Sequence, residues 1–272
     1  MLKWCSYCVK FLGETPPYEN LAITHGLCPA CRQNLGTLTE QDLEASRKLE
    51  AMLDRLMTAI LSGDHKTAKH TIKKALAHNL RPIDILMGLV APLLYRIGED
   101  WRKGYITVAE EHRFTSCCQQ IFEHLGKDVT LSTLSDTAKA DRAEVLIINA
   151  PDNRHTLAIR ILAAWFAVKG IPARVIDPIP PIDDFIAQIG ESRLHLILIS
   201  MALAEQCPAV VGLVERIMAL PGTHHPRILV GGYAIKMNLV PPIPGADLVS
   251  DINSLELSLG IEHLGLSSGT TA

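Results

Sequence analysis

Four of the seven cysteines fall in two Cys-x-x-Cys pairs, Cys5/Cys8 and Cys28/Cys31, nineteen residues apart. Each pair bends so that two thiolates face one ion, and two such pairs complete a tetrahedral four-thiolate zinc site. Four protein ligands leave no open position, so this Zn2+ is expected to be structural and to contribute folding energy. His25, between the pairs, is read as a bystander.

A second group of residues suits a flat ligand caught between two domains. Trp101 ends one helical stretch, and Glu111-His112 lies in the second turn of the next. A turn at Gly104 makes these helices antiparallel, which brings the three residues to one end of a bundle. An indole and two hydrogen-bonding side chains there can cover a planar face. Further along, Asn149-Ala-Pro-Asp-Asn-Arg-His155 follows an apolar β-run, at the carboxyl end where open parallel sheets place ligands. An imidazole so placed can ligate a metal through one ring nitrogen while a polar partner holds the other. The G-x-G-x-x-G fingerprint does not follow this run, which argues against a nicotinamide or flavin dinucleotide site.

The elements that must position these groups are legible as periodicity. Residues 1–37 hold the four paired cysteines and the Pro16-Pro17 break, and are too short to fold without a staple. Residues 38–127 read as four helices, beginning at Thr39, His65, Pro82 and Thr107, the last through a Thr107/Glu110 capping box. Short turns between them make an antiparallel bundle. Residues 128–142 are a polar linker, 143–264 alternate apolar strands with helices, and 265–272 form a tail. The expected strands are 144–150, 173–177, 195–201, 227–230 and 246–249, with a closing helix over 255–263. Near-continuous apolar strands separated by helices imply a parallel sheet covered on both faces. The expected class is therefore α/β with an all-α cap: an N-terminal zinc ribbon, a four-helix bundle and a Rossmann- or flavodoxin-like domain.

Composition narrows the function. The 272 residues are 48% hydrophobic and 20% charged, with a formal net charge of −3. Such a chain is globular and has no strong pull on phosphate backbones or acidic lipids. Its longest apolar runs are too short to span a bilayer, and no apolar signal core follows the first residues. A soluble cytoplasmic protein that does not bind DNA directly is expected.

Taken together, the motifs resemble those of light-responsive, cobalamin-dependent regulators of the CarH and LitR type. The spacing Trp101-x9-Glu111-His112, within Gly98-Glu-Asp-Trp-Arg-Lys-Gly-Tyr-Ile-Thr-Val-Ala-Glu-Glu-His112, matches the W-x9-E-H motif of their helical cap. Asn153-Arg-His155-Thr-Leu-Ala158 stands where that family has its E/D-x-H-x-x-G cobalt motif. Ser200 ends the third strand, and Gly231-Gly232 follows the fourth, as in the family's segments that meet the nucleotide tail. The resemblance covers about residues 40–262. It implies His155 as lower axial ligand to cobalt, a tail entering between Ser200 and Gly231-Gly232, and Trp101, Glu111 and His112 over the upper face.

The departures are specific. Asn153 replaces the acidic residue of the cobalt motif, Ala158 its glycine, Ala202 the motif's leucine or threonine, and Arg102 a histidine found in some members. A zinc segment also stands where the family has a DNA-binding domain. The resemblance therefore implies a non-enzymatic cobalamin sensor working through a protein partner or homo-oligomer. Adenosylcobalamin is favoured over methylcobalamin as its cofactor. A corrinoid carrier for methyl transfer, a related sensor binding haem or a bilin, and a ligand-free scaffold are the alternatives.

Overall fold

A computed structural model describes residues 1–33, 40–78, 80–126, 145–192, 194–221 and 225–260. The expected linker, the tail, Glu144 and the last residues of the closing helix lie outside these ranges.

The N-terminal segment is a small sheet of β1 (Leu2–Cys5), β2 (Phe11–Glu14) and β3 (Ile23–Gly26) in the order β2-β1-β3. The β1–β2 pairing is antiparallel and β1–β3 is parallel. A one-turn helix, α1 (Pro29–Gln33), follows.

The bundle comprises α2 (Glu40–Leu61), α3 (His65–Ala77), α4 (Pro82–Ile85), α5 (Ala91–Arg102) and α6 (Val108–Gly126). Gly63, at φ +69°, breaks the chain after α2, and the Asp64 carboxylate accepts the Thr67 N–H at 3.0 Å to cap α3. At α6 the expected capping box is present. The Glu110 carboxylate accepts the Thr107 N–H at 2.8 Å, and the Glu110 N–H donates to the Thr107 hydroxyl at 3.2 Å.

The third helix of the bundle is not regular. A π turn, Leu86–Val90, joins α4 to α5. A Cβ added at Gly88 within it would lie 2.6 Å from both the Trp4 and the Phe11 rings. The π turn and the missing side chain make a notch that seats the two aromatics, which meet edge-on with centroids 5.4 Å apart. Periodicity alone cannot register one extra residue in a turn, so the sequence reads as an unbroken helix there.

Five parallel strands follow: β4 (Val145–Asn149), β5 (Ala173–Ile176), β6 (Leu196–Ser200), β7 (Arg227–Gly231) and β8 (Asp247–Leu248), in the order β5-β4-β6-β7-β8. This is the flavodoxin-like order, with its topological switch point between β4 and β6. Covering helices are α7 (Thr156–Val168), α8 (Ile182–Gly190), α9 (Cys207–Met218), α10 (Tyr233–Lys236) and α11 (Ile252–Leu259). The register pairs Asn149 with Ser200 and Ser200 with Gly231, so three strands end level at one edge.

One face of the sheet shares its core with the small N-terminal sheet and the bundle. Leu2 and Trp4, the bundle's Leu86, Leu89 and Leu93, and Ile147, Leu157 and Ile161 belong to a single buried cluster. The opposite face packs Leu146, Ile148 and Val230 against Phe185, Val210 and Val214. Among the described residues no helix is long and apolar enough to cross a membrane.

Candidate corrinoid site and four-cysteine centre

The level strand ends set the first half of the site. After β4 the chain turns sharply, with Asp152 at φ +63°, a region that aspartate tolerates better than most residues. Buried Asn153 organises this turn. Its amide donates to the Ser200 carbonyl at 3.1 Å and to Asn149 Oδ1 at 3.3 Å, and its own Oδ1 accepts the His155 backbone N–H at 3.1 Å. Asn153 thus holds the backbone on which His155 stands. His155, exposed at the first turn of α7, projects from a fixed base, and no hydrogen bond to its ring is made among the described residues.

The bundle supplies the second half. Trp101, 43% exposed, lies near the end of α5, and Glu111 and His112 lie in the first turns of α6. Glu111 accepts the Thr115 hydroxyl at 2.6 Å and sits 3.6 Å from His112 Nε2. Trp101, Glu111, His112, Asn153, His155 and Ser200 all line one cavity of about 370 Å³ between bundle and sheet. Residues far apart in the chain, singled out by motif, therefore converge.

Gly231 and Gly232 line a narrower slot beside it, of about 110 Å³, with Ser200, Ala158 and Tyr95 bordering both spaces. Gly232 has φ +101°, and a Cβ there would meet the Met201 carbonyl oxygen at 2.5 Å. Only glycine fits this close approach of β6 to the β7–α10 turn.

Several lining residues have no sequence motif. Tyr95 and Tyr233 face each other with ring centroids 5.8 Å apart. Glu99 pairs with Arg102 at 2.8 Å, and that guanidinium holds its carboxyl down at about 2. Burial, with Glu99 beside it, pushes the Tyr233 hydroxyl up to about 12. Their common signal is helical spacing: Tyr95, Glu99 and Arg102 follow one another at four and three residues on α5.

At the other centre, the sulfurs of Cys5, Cys8, Cys28 and Cys31 all lie within 4.8 Å of one another. Cys8 and Cys28 Sγ are 3.6 Å apart. A tetrahedral ion with metal–sulfur bonds of ~2.3 Å separates its ligands by about 3.8 Å, so the donor set fits one tetrathiolate ion. Burial raises the Cys5 thiol, but backbone N–H groups of Cys8, Cys28 and Tyr7 outweigh it and bring it down to about 6. Arg81, bound to buried Asp84 at 2.6 Å, adds positive charge near Cys8 and Cys28.

Comparison with known proteins accords with this geometry. Residues 52–125, from within α2 to the end of α6, match the family described as B12 binding domain. A monomethylamine corrinoid protein of Methanosarcina barkeri superposes with a TM-score of 0.62 at 13% identity, covering 78% of this chain and 98% of that one. A cobalamin-binding protein of Desulfitobacterium hafniense DCB-2 aligns at 13% identity over 77% of this chain and 98% of its own, with a TM-score of only 0.39. An uncharacterised 20.5 kDa protein of the bchF-crtJ intergenic region of Rhodobacter capsulatus is 26% identical over 164 residues, 60% of this chain and 83% of its own. Bundle and sheet together share the fold of the Methanosarcina barkeri protein, and the matched helical segment supports cobalamin as the ligand. Two features of the site fit such a group: an imidazole standing into the cavity, and a glycine cradle at the adjoining slot.

Proposed function

We propose that this protein is a non-enzymatic, light-responsive cobalamin sensor that signals through contact with a protein partner or a second copy of itself. The observation that carries the reading is the convergence of Trp101, Glu111 and His112 of the bundle on the cavity that His155 of the α/β part also lines. His155 would hold cobalt, with Asn153 fixing its backbone. Ser200, Gly231 and Gly232 would receive the nucleotide tail. Adenosylcobalamin supplies a cobalt–carbon bond that visible light cleaves. Trp101, Glu111 and His112 sit on the bundle, so a change in what they cover biases the bundle against the sheet. The four-cysteine centre would hold one Zn2+ as a structural ion.

A second reading, a corrinoid carrier for methyl transfer, is favoured by the fold shared with the Methanosarcina barkeri protein. One experiment separates the two. Protein loaded with adenosylcobalamin in the dark should change both absorption spectrum and gel-filtration volume on illumination. A light-insensitive volume combined with methyl exchange from methylcobalamin to an added acceptor would replace the sensor with the carrier.

A further inference from the structure

Charge is unevenly matched in this molecule. The buried ammonium of Lys236 pairs with Glu14 of β2, and Arg81 pairs with Asp84. By contrast α3, His65–Ala77, holds four lysines, two histidines and no carboxylate. The chain's formal net charge is −3 although this one helix contributes four positive charges. Its buried residues, Ala68, Thr71, Ile72 and Ala75, face the bundle, and Lys66, Lys69, His70, Lys73 and Lys74 are exposed on the other side. None of the four lysines makes an ion pair among the described residues. Lys66 and Lys69 are three residues apart and Lys69 and Lys73 four, the spacings at which like charges oppose a helix. A face kept only for solubility intersperses acids among such groups. This one retains the repulsion, and gains when negative charge arrives from outside.

Beside the face lies a groove of about 520 Å³, lined by α3 and α6 alone. Buried Ala68, Ile72, Cys117 and Ile121 give it an apolar floor. Lys66 and Lys69 stand on the α3 side, Gln120 and His124 on the α6 side. The groove's one carboxylate, Glu123, accepts a hydrogen bond from the Gln119 amide at 2.7 Å.

We propose that this face docks an acidic amphipathic helix of a partner protein, with an aliphatic side chain in the groove and carboxylates on the lysines. Lys66 to Lys73 spans ~10 Å along α3, so carboxylates at i, i+3 or i+4, and i+7 of a helix laid alongside meet the lysines in step. The lysines steer the encounter and set the register, and the apolar floor slows departure. A nucleic acid matches this surface less well. It has no aliphatic group for the floor, and α3 offers neither arginine for base edges nor a Phe, Tyr or Trp ring for stacking. The inference goes beyond the cobalamin reading and holds whether or not light is the signal.

The probe is a fluorescently labelled peptide of about three heptads of Glu-Leu-Ala-Glu-Glu-Leu-Ala, titrated with the full chain and read by anisotropy. Binding should saturate and weaken with added salt. It should fall at least about tenfold when glutamine replaces the peptide's glutamates, and likewise when alanine replaces its leucines. Reversing charge on the protein, with Lys66→Glu, Lys69→Glu and Lys73→Glu combined, should also cost at least about tenfold, without lowering the melting temperature. A photoreactive leucine analogue in the peptide should cross-link to α3 and α6 within the groove, as located by mass spectrometry. Absence of saturable binding, an affinity untouched by the lysine reversal, or cross-links elsewhere overturns the inference. Duplex DNA of equal charge binding more tightly than the peptide overturns it in favour of a nucleic-acid surface. None of these results touches the cobalamin reading, which is decided by the spectrum of the loaded protein.

Discussion

Deleting the imidazole at position 155 is the sharpest single test of the site. His155→Ala should weaken cobalamin by at least about 10-fold, the loss typical of removing even a supporting partner of a metal ligand. It should also remove the protein-nitrogen splitting from the electron paramagnetic resonance spectrum of the cobalt(II) form. Retained splitting would mean that another nitrogen holds the metal. Asn153 and Gly232 act on the backbone instead. Asn153→Ala leaves groups at the Ser200 and His155 backbone without their partner, at a cost of ~1–3 kcal/mol in urea unfolding. Gly232→Ala forces a Cβ against Met201 at positive φ, and should cost at least about 1–3 kcal/mol. These residues were legible in the sequence because each belongs to a local pattern at a strand end. The Glu14–Lys236 pair was not, because a contact across 222 positions leaves no local trace.

Among the elements, α5 carries a pH signature. The Glu99 carboxyl, near 2 when folded against an unfolded value of ~4.3, binds fewer protons in the folded protein. Its contribution to stability is complete above the unfolded value and is lost as pH falls towards 2. Glu99→Gln should therefore flatten the acid limb of the stability profile between about pH 5 and 2, as read by chemical unfolding at each pH. An unchanged limb would show that the pair with Arg102 is not formed in solution. Strand and helix succession could be read from the chain because buried parallel strands are unbroken apolar runs, and most expected boundaries fall within a few residues of those observed. The π turn at Leu86–Val90 could not, since its cause is the pair of aromatics packed on Gly88 from another segment.

For the molecule as a whole, the four-cysteine segment is part of the main core. One equivalent of zinc per chain is expected by elemental analysis. Cys28→Ser should lose it and lower the melting temperature by about 5 °C or more, because the metal's binding energy is folding energy. Full metal loss with an unshifted melt would mark the centre as ornamental to stability. The change in composition after the four paired cysteines marks a boundary near residue 37. Yet Leu2 and Trp4 sit in one buried cluster with the bundle and one sheet face. Composition shifts mark where a segment's character changes, and the tertiary contacts that cross the boundary decide whether it stands apart.

The notch at Gly88 has a practical consequence. A chain trimmed to begin after the cysteines would bare an oily dent on the third helix, where two aromatic rings had been parked. Such a fragment should clump on purification or melt well below the intact protein, and adding the missing peptide back in trans should quiet it. The four-cysteine head is, in that sense, a cork that the rest of the fold was shaped to receive.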